Sequence, residues 1–96
     1  MAIRSFASDE VEEFFAHGRF GKGIGWSSVA SIVARKLDMM HYARELRDLK
    51  SPPGNRLEAL SGKWTGYYSI RVNDRWRIVF HWSDLGAEDV DVVDYH

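Results

Sequence analysis

The side chains with the most chemistry to offer are Asp94, Tyr95 and His96 at the end of the chain, and Arg77, which stands between Trp76 and Ile78 in an alternating run. His96 and Asp94 can titrate or hydrogen-bond, Tyr95 can stack or donate, and Arg77 can hold a phosphate through its planar fork. An RNA strand is cut by its own 2′-hydroxyl when a base takes that proton, an acid serves the leaving 5′-oxygen and a cation meets the extra charge on the phosphorane. A histidine, a carboxylate, a tyrosine and an arginine suffice for this. Lys63 and Arg75 are further sources of positive charge, and Trp64 beside Lys63 carries a flat ring on which a base can stack. The types alone also fit a blander reading. Chain ends are ordinarily frayed and tolerant of change, and an arginine out of phase with Trp76 and Ile78 is ordinarily an exposed sheet residue.

Other chemistries lack their parts. There is no HExxH, no cysteine cluster, no Walker loop and no serine nucleophile elbow, so the expected site uses no metal and no cofactor. The absence of cysteine excludes disulfides and thiolate chemistry. Gly21, Gly23 and Gly25 suggest a phosphate-cradling loop only superficially, because GxGxxG is missing and no strand precedes them. His41 has no second ligand at helical spacing, and His17 and His81 read as structural or surface residues.

The net charge is −1, which by itself argues against a nucleic-acid binder, but the charges are unevenly placed. From Arg35 to Arg77 ten Lys/Arg face five Asp/Glu, a balance of +5, whereas the remainder carries three against nine, a balance of −6. A basic sector of this kind meets the requirement for phosphate contact, and it equally fits a solvated helix face.

These residues need elements to position them. Tyr68, Ile70 and Val72 alternate with Ser69 and Arg71, and Trp76, Ile78 and Phe80 alternate with Arg77 and Val79, which predicts two strands joined at Asn73-Asp74 into a hairpin. Asn and Asp tolerate the left-handed backbone of a tight turn. Val90, Val92 and Val93 predict a further strand after Gly86, and Leu57 to Leu60 a short strand-like piece before the hairpin. Ile3 to Phe6 reads as a first strand. Ser8 caps a helix carrying Val11, Phe14 and Phe15 and ending at Gly18. Apolar residues at Val29, Ile32, Val33, Leu37, Met40, Ala43, Leu46 and Leu49 predict one long helix from Ser27 or Ser28 to Leu49, stopped by Ser51-Pro52-Pro53-Gly54. The expected fold class is α+β, with two helices packed on one face of a mainly antiparallel sheet in the order β-α-α-β-β-β. Residues 1–96 form a single domain in this reading, since the chain is too short for two and has no linker. Acidic residues interrupt the N-terminal stretch where a signal peptide would be apolar, and no apolar run is long enough to span a membrane, so the expected location is the cytoplasm.

The order NRLEAL (Asn55 to Leu60), GYYSIRVNDRWRIVFHW (Gly66 to Trp82) and terminal VDYH (Val93 to His96) resembles the RelE-type toxins of bacterial toxin–antitoxin pairs, most closely the HigB branch. The similarity extends to IRSF (Ile3 to Phe6) and ARKLDMMHYA (Ala34 to Ala43), and the C-terminal block is its specific part. The resemblance implies the RelE/ParE-like fold and a functional role for Asp94, Tyr95, His96 and Arg77. A further histidine of that group falls where this chain has Glu58, a departure that makes Glu58 a candidate base but not a cation. Members are also commonly more basic than this chain.

The resemblance implies a ribosome-dependent mRNA endonuclease that stops translation, with a helix-turn-helix antitoxin of HigA type, the ribosome and mRNA as partners, operator DNA reached only through the antitoxin, and no membrane. A weak cluster of acid–base groups fits such an enzyme, because the ribosome would supply the orientation. Two other functions remain open at this point: a non-enzymatic binding toxin of the same fold, of the gyrase-inhibiting type, and an antitoxin-bound corepressor. A terminal Tyr-His argues against the gyrase type, which does not depend on such a tail.

Overall fold

The computed structural model describes residues 2–95, so Met1 and His96 lie outside it. Helix α1 spans Asp9–His17. Ser8 caps it, its Oγ accepting from the Val11 N–H at 3.4 Å, and Gly18 closes it at φ 72°, its N–H reaching the Phe14 carbonyl at 2.8 Å. Both boundaries are those predicted from the sequence.

The second helix is shorter than its periodicity suggests. A 3-10 turn at Ser27–Val29 leads into α2 (Ala30–Tyr42), which ends when Ala43 turns extended at ψ 138°; Leu46–Lys50 then forms a separate 3-10 turn. The break has a local cause. The Asp48 carboxylate accepts the N–H groups of Arg44 and Glu45 at 2.9 and 3.0 Å, offering them a better partner than the preceding helical carbonyls. These backbone bonds also hold the Asp48 carboxyl below its ordinary range. Leu49 still reaches the core, which is why the apolar spacing runs on across a broken helix.

The sheet contains β1 (Glu58–Ala59), β2 (Tyr68–Arg71), β3 (Trp76–Ser83) and β4 (Gly86–Asp94), hydrogen-bonded in that order and antiparallel throughout. The predicted first strand is only a pair of parallel bridges, Ile3 to Ala87 and Phe6 to Val90, laid along the outer edge of β4. Gly86 allows that approach, since a Cβ there would strike the Ala2 carbonyl. At the β2–β3 connection Asn73 acts through its side chain: Oδ1 accepts the N–H groups of Arg75 and Trp76 at 2.9 and 2.7 Å. Neither Asn73 nor Asp74 is left-handed, so the turn uses side-chain hydrogen bonding in place of the expected backbone tolerance.

One face of the sheet, with Ile70, Val72, Ile78, Phe80, Val90 and Val92, packs against Val11 and Phe14 of α1 and Val33, Leu37 and Met40 of α2. Each such side chain is worth about 1.5–3 kcal/mol when fully buried. The opposite face is not simply solvated: Ser69 and Val79 are fully buried there, outside the main core. Behind α2, Lys36 is buried and donates to Asn55 Oδ1; burial lowers the Lys36 pKa, helped by the nearby charges of Arg35 and Arg71. Asn55 Nδ2 in turn donates to the carbonyls of Leu49 and Ser51, at 3.1 and 3.3 Å, tying the turn after α2 to the segment that enters β1. No helix among the described residues is long and apolar enough to cross a membrane.

Candidate active site

Strand register assembles the site on the face away from the helices. Glu58 is opposite Ser69, Ser69 opposite Val79 and Val79 opposite Asp91, so these four form one row across the sheet. Arg71, Arg77 and Val93 form the next row. The Arg77 side chain bridges the two rows: Nη1 donates to Ser69 Oγ at 2.7 Å and Nη2 to Glu58 Oε1 at 2.9 Å. The Arg77 side chain is 15% exposed while that of Glu58 is half exposed, so the pair joins a largely buried cation to an accessible carboxylate. Tyr95 completes the cluster, with the Arg77 Cζ 5.5 Å from its ring centroid.

A second pair lies beside the first. Arg75 Nε donates to Asp94 Oδ2 at 2.7 Å, and the Arg75 carbonyl accepts the Tyr95 N–H at 3.0 Å, which fixes the end of β4 against the β2–β3 turn. The structure thus joins Arg77 to Glu58 and Tyr95, and separately Arg75 to Asp94, which the register places opposite Trp76 and so out of phase with Arg77. Lys63 and Trp64 occupy the short turn Gly62–Trp64 that follows β1, Lys63 exposed and Trp64 half-buried. His96 lies outside the described residues. Arg35 of α2 and Arg71 of β2 lie close enough to the buried Lys36 to lower its pKa further, behind α2 and not at the Arg77 cluster. Asp91, at the far end of the Glu58 row, has its pKa raised by burial, partly opposed by its bond from the Val92 N–H and reinforced by Glu10.

The family described as the RelE-like toxin of the type II toxin–antitoxin system HigB matches residues 4–96. The chain belongs to the HigB-like toxins. It is 45% identical to Toxin HigB-1 of Vibrio cholerae over 79 residues, covering 82% of each protein. Its fold is similar to that of YoeB in the YoeB-YefM complex from Staphylococcus aureus (TM-score 0.55, 18% identity, 100% of this chain and 99% of that one) and to the YoeB/ParE toxin from Agrobacterium tumefaciens (TM-score 0.51, 21% identity, 100% and 99%). This HigB-like chain is thus a toxin of a type II toxin–antitoxin system with the α+β fold that its sequence pattern predicts.

Three residues of this face escaped the sequence reading. Ser69 is the buried acceptor that orients Arg77, and Tyr67 and His81 stack with ring centroids 3.9 Å apart, the Tyr67 ring also meeting Trp64 at 5.1 Å. His81 was expected to be structural or superficial. Its parity with Arg77 and Val79 was the available signal, and only the pairing of β2 with β3 shows that Tyr67 stands next to it.

Proposed function

We propose that this HigB-like toxin is a metal-independent endoribonuclease that cleaves mRNA on the ribosome by 2′-hydroxyl transesterification and so inhibits translation. The supporting observation is the Arg77 guanidinium, fixed by Ser69 and Glu58 and faced by Tyr95 on the sheet face away from the helices. In this reading Arg77 stabilises the phosphorane, Glu58 accepts the 2′-hydroxyl proton in place of the family's histidine, and His96 serves the leaving 5′-oxygen. Asp94 and Tyr95 hold the terminal segment and the substrate in line, while Lys63, Arg75 and Trp64 contact the flanking strand. An incoming phosphate competes with Glu58 for the arginine fork, so binding releases the carboxylate that is to act as base.

The proposed partners are the ribosome, mRNA and a helix-turn-helix antitoxin of HigA type, with operator DNA reached only through that antitoxin and the whole cycle in the cytoplasm. A solved complex of the similarly folded YoeB with YefM supports the antitoxin. The test is induction of the toxin alone, followed by analysis of cellular mRNA and of a purified ribosome-containing reaction. Translation stops, the 5′ fragment carries a 2′,3′-cyclic phosphate, and a chelator leaves cleavage intact while sedimentation shows whole ribosomes. Failure of replication with translation untouched would overturn this reading in favour of a gyrase-directed toxin.

A further inference from the structure

Trp64, Tyr67 and His81 form an aromatic array on the same sheet face as Arg77, and neither the core nor the acid–base cluster accounts for it. Tyr67 stacks on His81 at 3.9 Å with 37° between the planes, and Trp64 meets Tyr67 edge to face at 5.1 Å and 90°. All three are half-buried, so the array keeps ring surface open to solvent. Its geometry is fixed by the backbone. His81 Nδ1 lies 2.9 Å from the Gly66 carbonyl, which can only accept, so Nδ1 carries the proton and Nε2 faces outward, 4.0 Å from Asp89 Oδ2. Gly66 holds that carbonyl in place at φ 94°, a conformation that favours glycine. The Leu60 N–H bond to the Tyr67 carbonyl at 2.8 Å anchors the other side.

Position gives the array its meaning. His81 is two residues beyond Val79, which shares its row with Glu58 and Ser69, so the array stands one row, about 7 Å, from the Arg77 contacts. That is within the span of a single nucleotide. We propose that Trp64, Tyr67 and His81 are the stacking subsite for an unpaired nucleobase adjoining the bond that is cut, and that they set which positions of a strand are cleaved. The inference rests on the nuclease reading of Arg77 and Glu58 and adds the group that holds the substrate beside them. Every base offers a π face, and a half-buried aromatic stack with a cationic fork one row away is the arrangement that holds a single strand with its phosphate in register. A phosphate-only site needs no such rings. Tyr67, Trp64 and His81 act as positioning residues, since no reacting atom need touch them.

The experiment compares the parent with Tyr67→Ala, His81→Ala and Tyr67→Phe in a ribosome-containing reaction, using mRNA with or without an abasic nucleotide on either side of the cleaved bond. Tyr67→Ala and His81→Ala are expected to raise KM by about 5- to 100-fold with a smaller effect on kcat, and to spread cleavage over more positions, while Tyr67→Phe keeps the parental pattern. One of the two abasic substrates should reproduce the Tyr67→Ala defect in the parent and show no further loss in the variant. Folded alanine variants with parental KM and parental cleavage positions overturn the subsite. If the parent cuts no RNA at all, the nuclease reading has failed, and the subsite is then judged by direct binding of a short single-stranded RNA: equal affinity in the parent and both alanine variants overturns it as well.

Discussion

Replacing Glu58 by glutamine separates chemistry from folding at the centre of the site. The glutamine side chain can still accept from Arg77 Nη2, whose present bond is 2.9 Å, but it has no affinity for the 2′-hydroxyl proton. Because Glu58 is half exposed, the ion pair is screened and contributes about 0.2–1 kcal/mol, which in a domain of this size corresponds to a few degrees of Tm. Loss of a general base costs about 10²–10⁴ in rate. Arg77→Lys is the companion change: it keeps the charge and loses the fork, so the buried Ser69 hydroxyl is left without its donor at a cost of about 1–3 kcal/mol. Its rate should fall by about 10²–10³, the loss typical of a charge-stabilising donor. The assay is single-turnover cleavage of labelled mRNA on ribosomes, read beside thermal melting of the isolated protein. A Glu58→Gln protein that cleaves at the parental rate refutes the carboxylate as base and leaves proton transfer to His96 and Asp94. A Glu58→Gln protein that loses rate and Tm together shows a structural role instead.

Three further outcomes follow from the same geometry. His96→Ala should abolish toxicity in an induced culture with no change in Tm, the outcome expected of a residue that acts in proton transfer, whereas a lowered Tm would assign it a structural role. Asn55→Ala should lower stability by about 1–3 kcal/mol for each buried partner left bare, seen in denaturant titration, since it deprives Lys36 and the Leu49 and Ser51 carbonyls together. Asp91→Asn should change the pH dependence of stability. The raised pKa of Asp91 means that the folded chain holds this proton more tightly than the unfolded one, so its favourable contribution is complete below 3.8 and is lost as pH rises through the folded value. The asparagine variant therefore gains on the parent across that window, and a stability difference that does not vary with pH would contradict the assignment.

Alternation made the phase of the hairpin readable, because a two-residue period decides which side chains share a face: Arg77 out of phase with Ile78 and Phe80 is the same statement as Arg77 on the face away from the helices. The pairing of strands was less readable. Glu58 meets Arg77 only through a register that runs Glu58, Ser69, Val79, and nothing in the local composition states that the two-residue strand β1 adds to the edge of β2. The long helix misled for a related reason. Leu46 and Leu49 keep the apolar spacing of α2, and a 3-10 turn delivers Leu49 to the same core that a continuous helix would have reached. The contrary signal was the pair Glu45 and Asp48, a capping box placed inside an apolar repeat.

The arrangement of charge at rest also bears on how the proposed reaction is controlled. The arginine fork is occupied by Ser69 and Glu58, and Asp94 is held by Arg75, so each acidic group of the site already accepts from a cation. A loose RNA phosphate must displace a carboxylate that is covalently part of the chain and present at high effective concentration, which penalises random encounters. A phosphate delivered in line, with its neighbouring base fixed, does not carry that entropic cost again when it meets Arg77. Orientation of the strand and release of Glu58 are then one event. On this account the ribosome and the aromatic array contribute through the same quantity, the fraction of bound strands whose scissile phosphate lies over Arg77. Loosening either should lower cleavage without altering the chemistry of the groups that perform it.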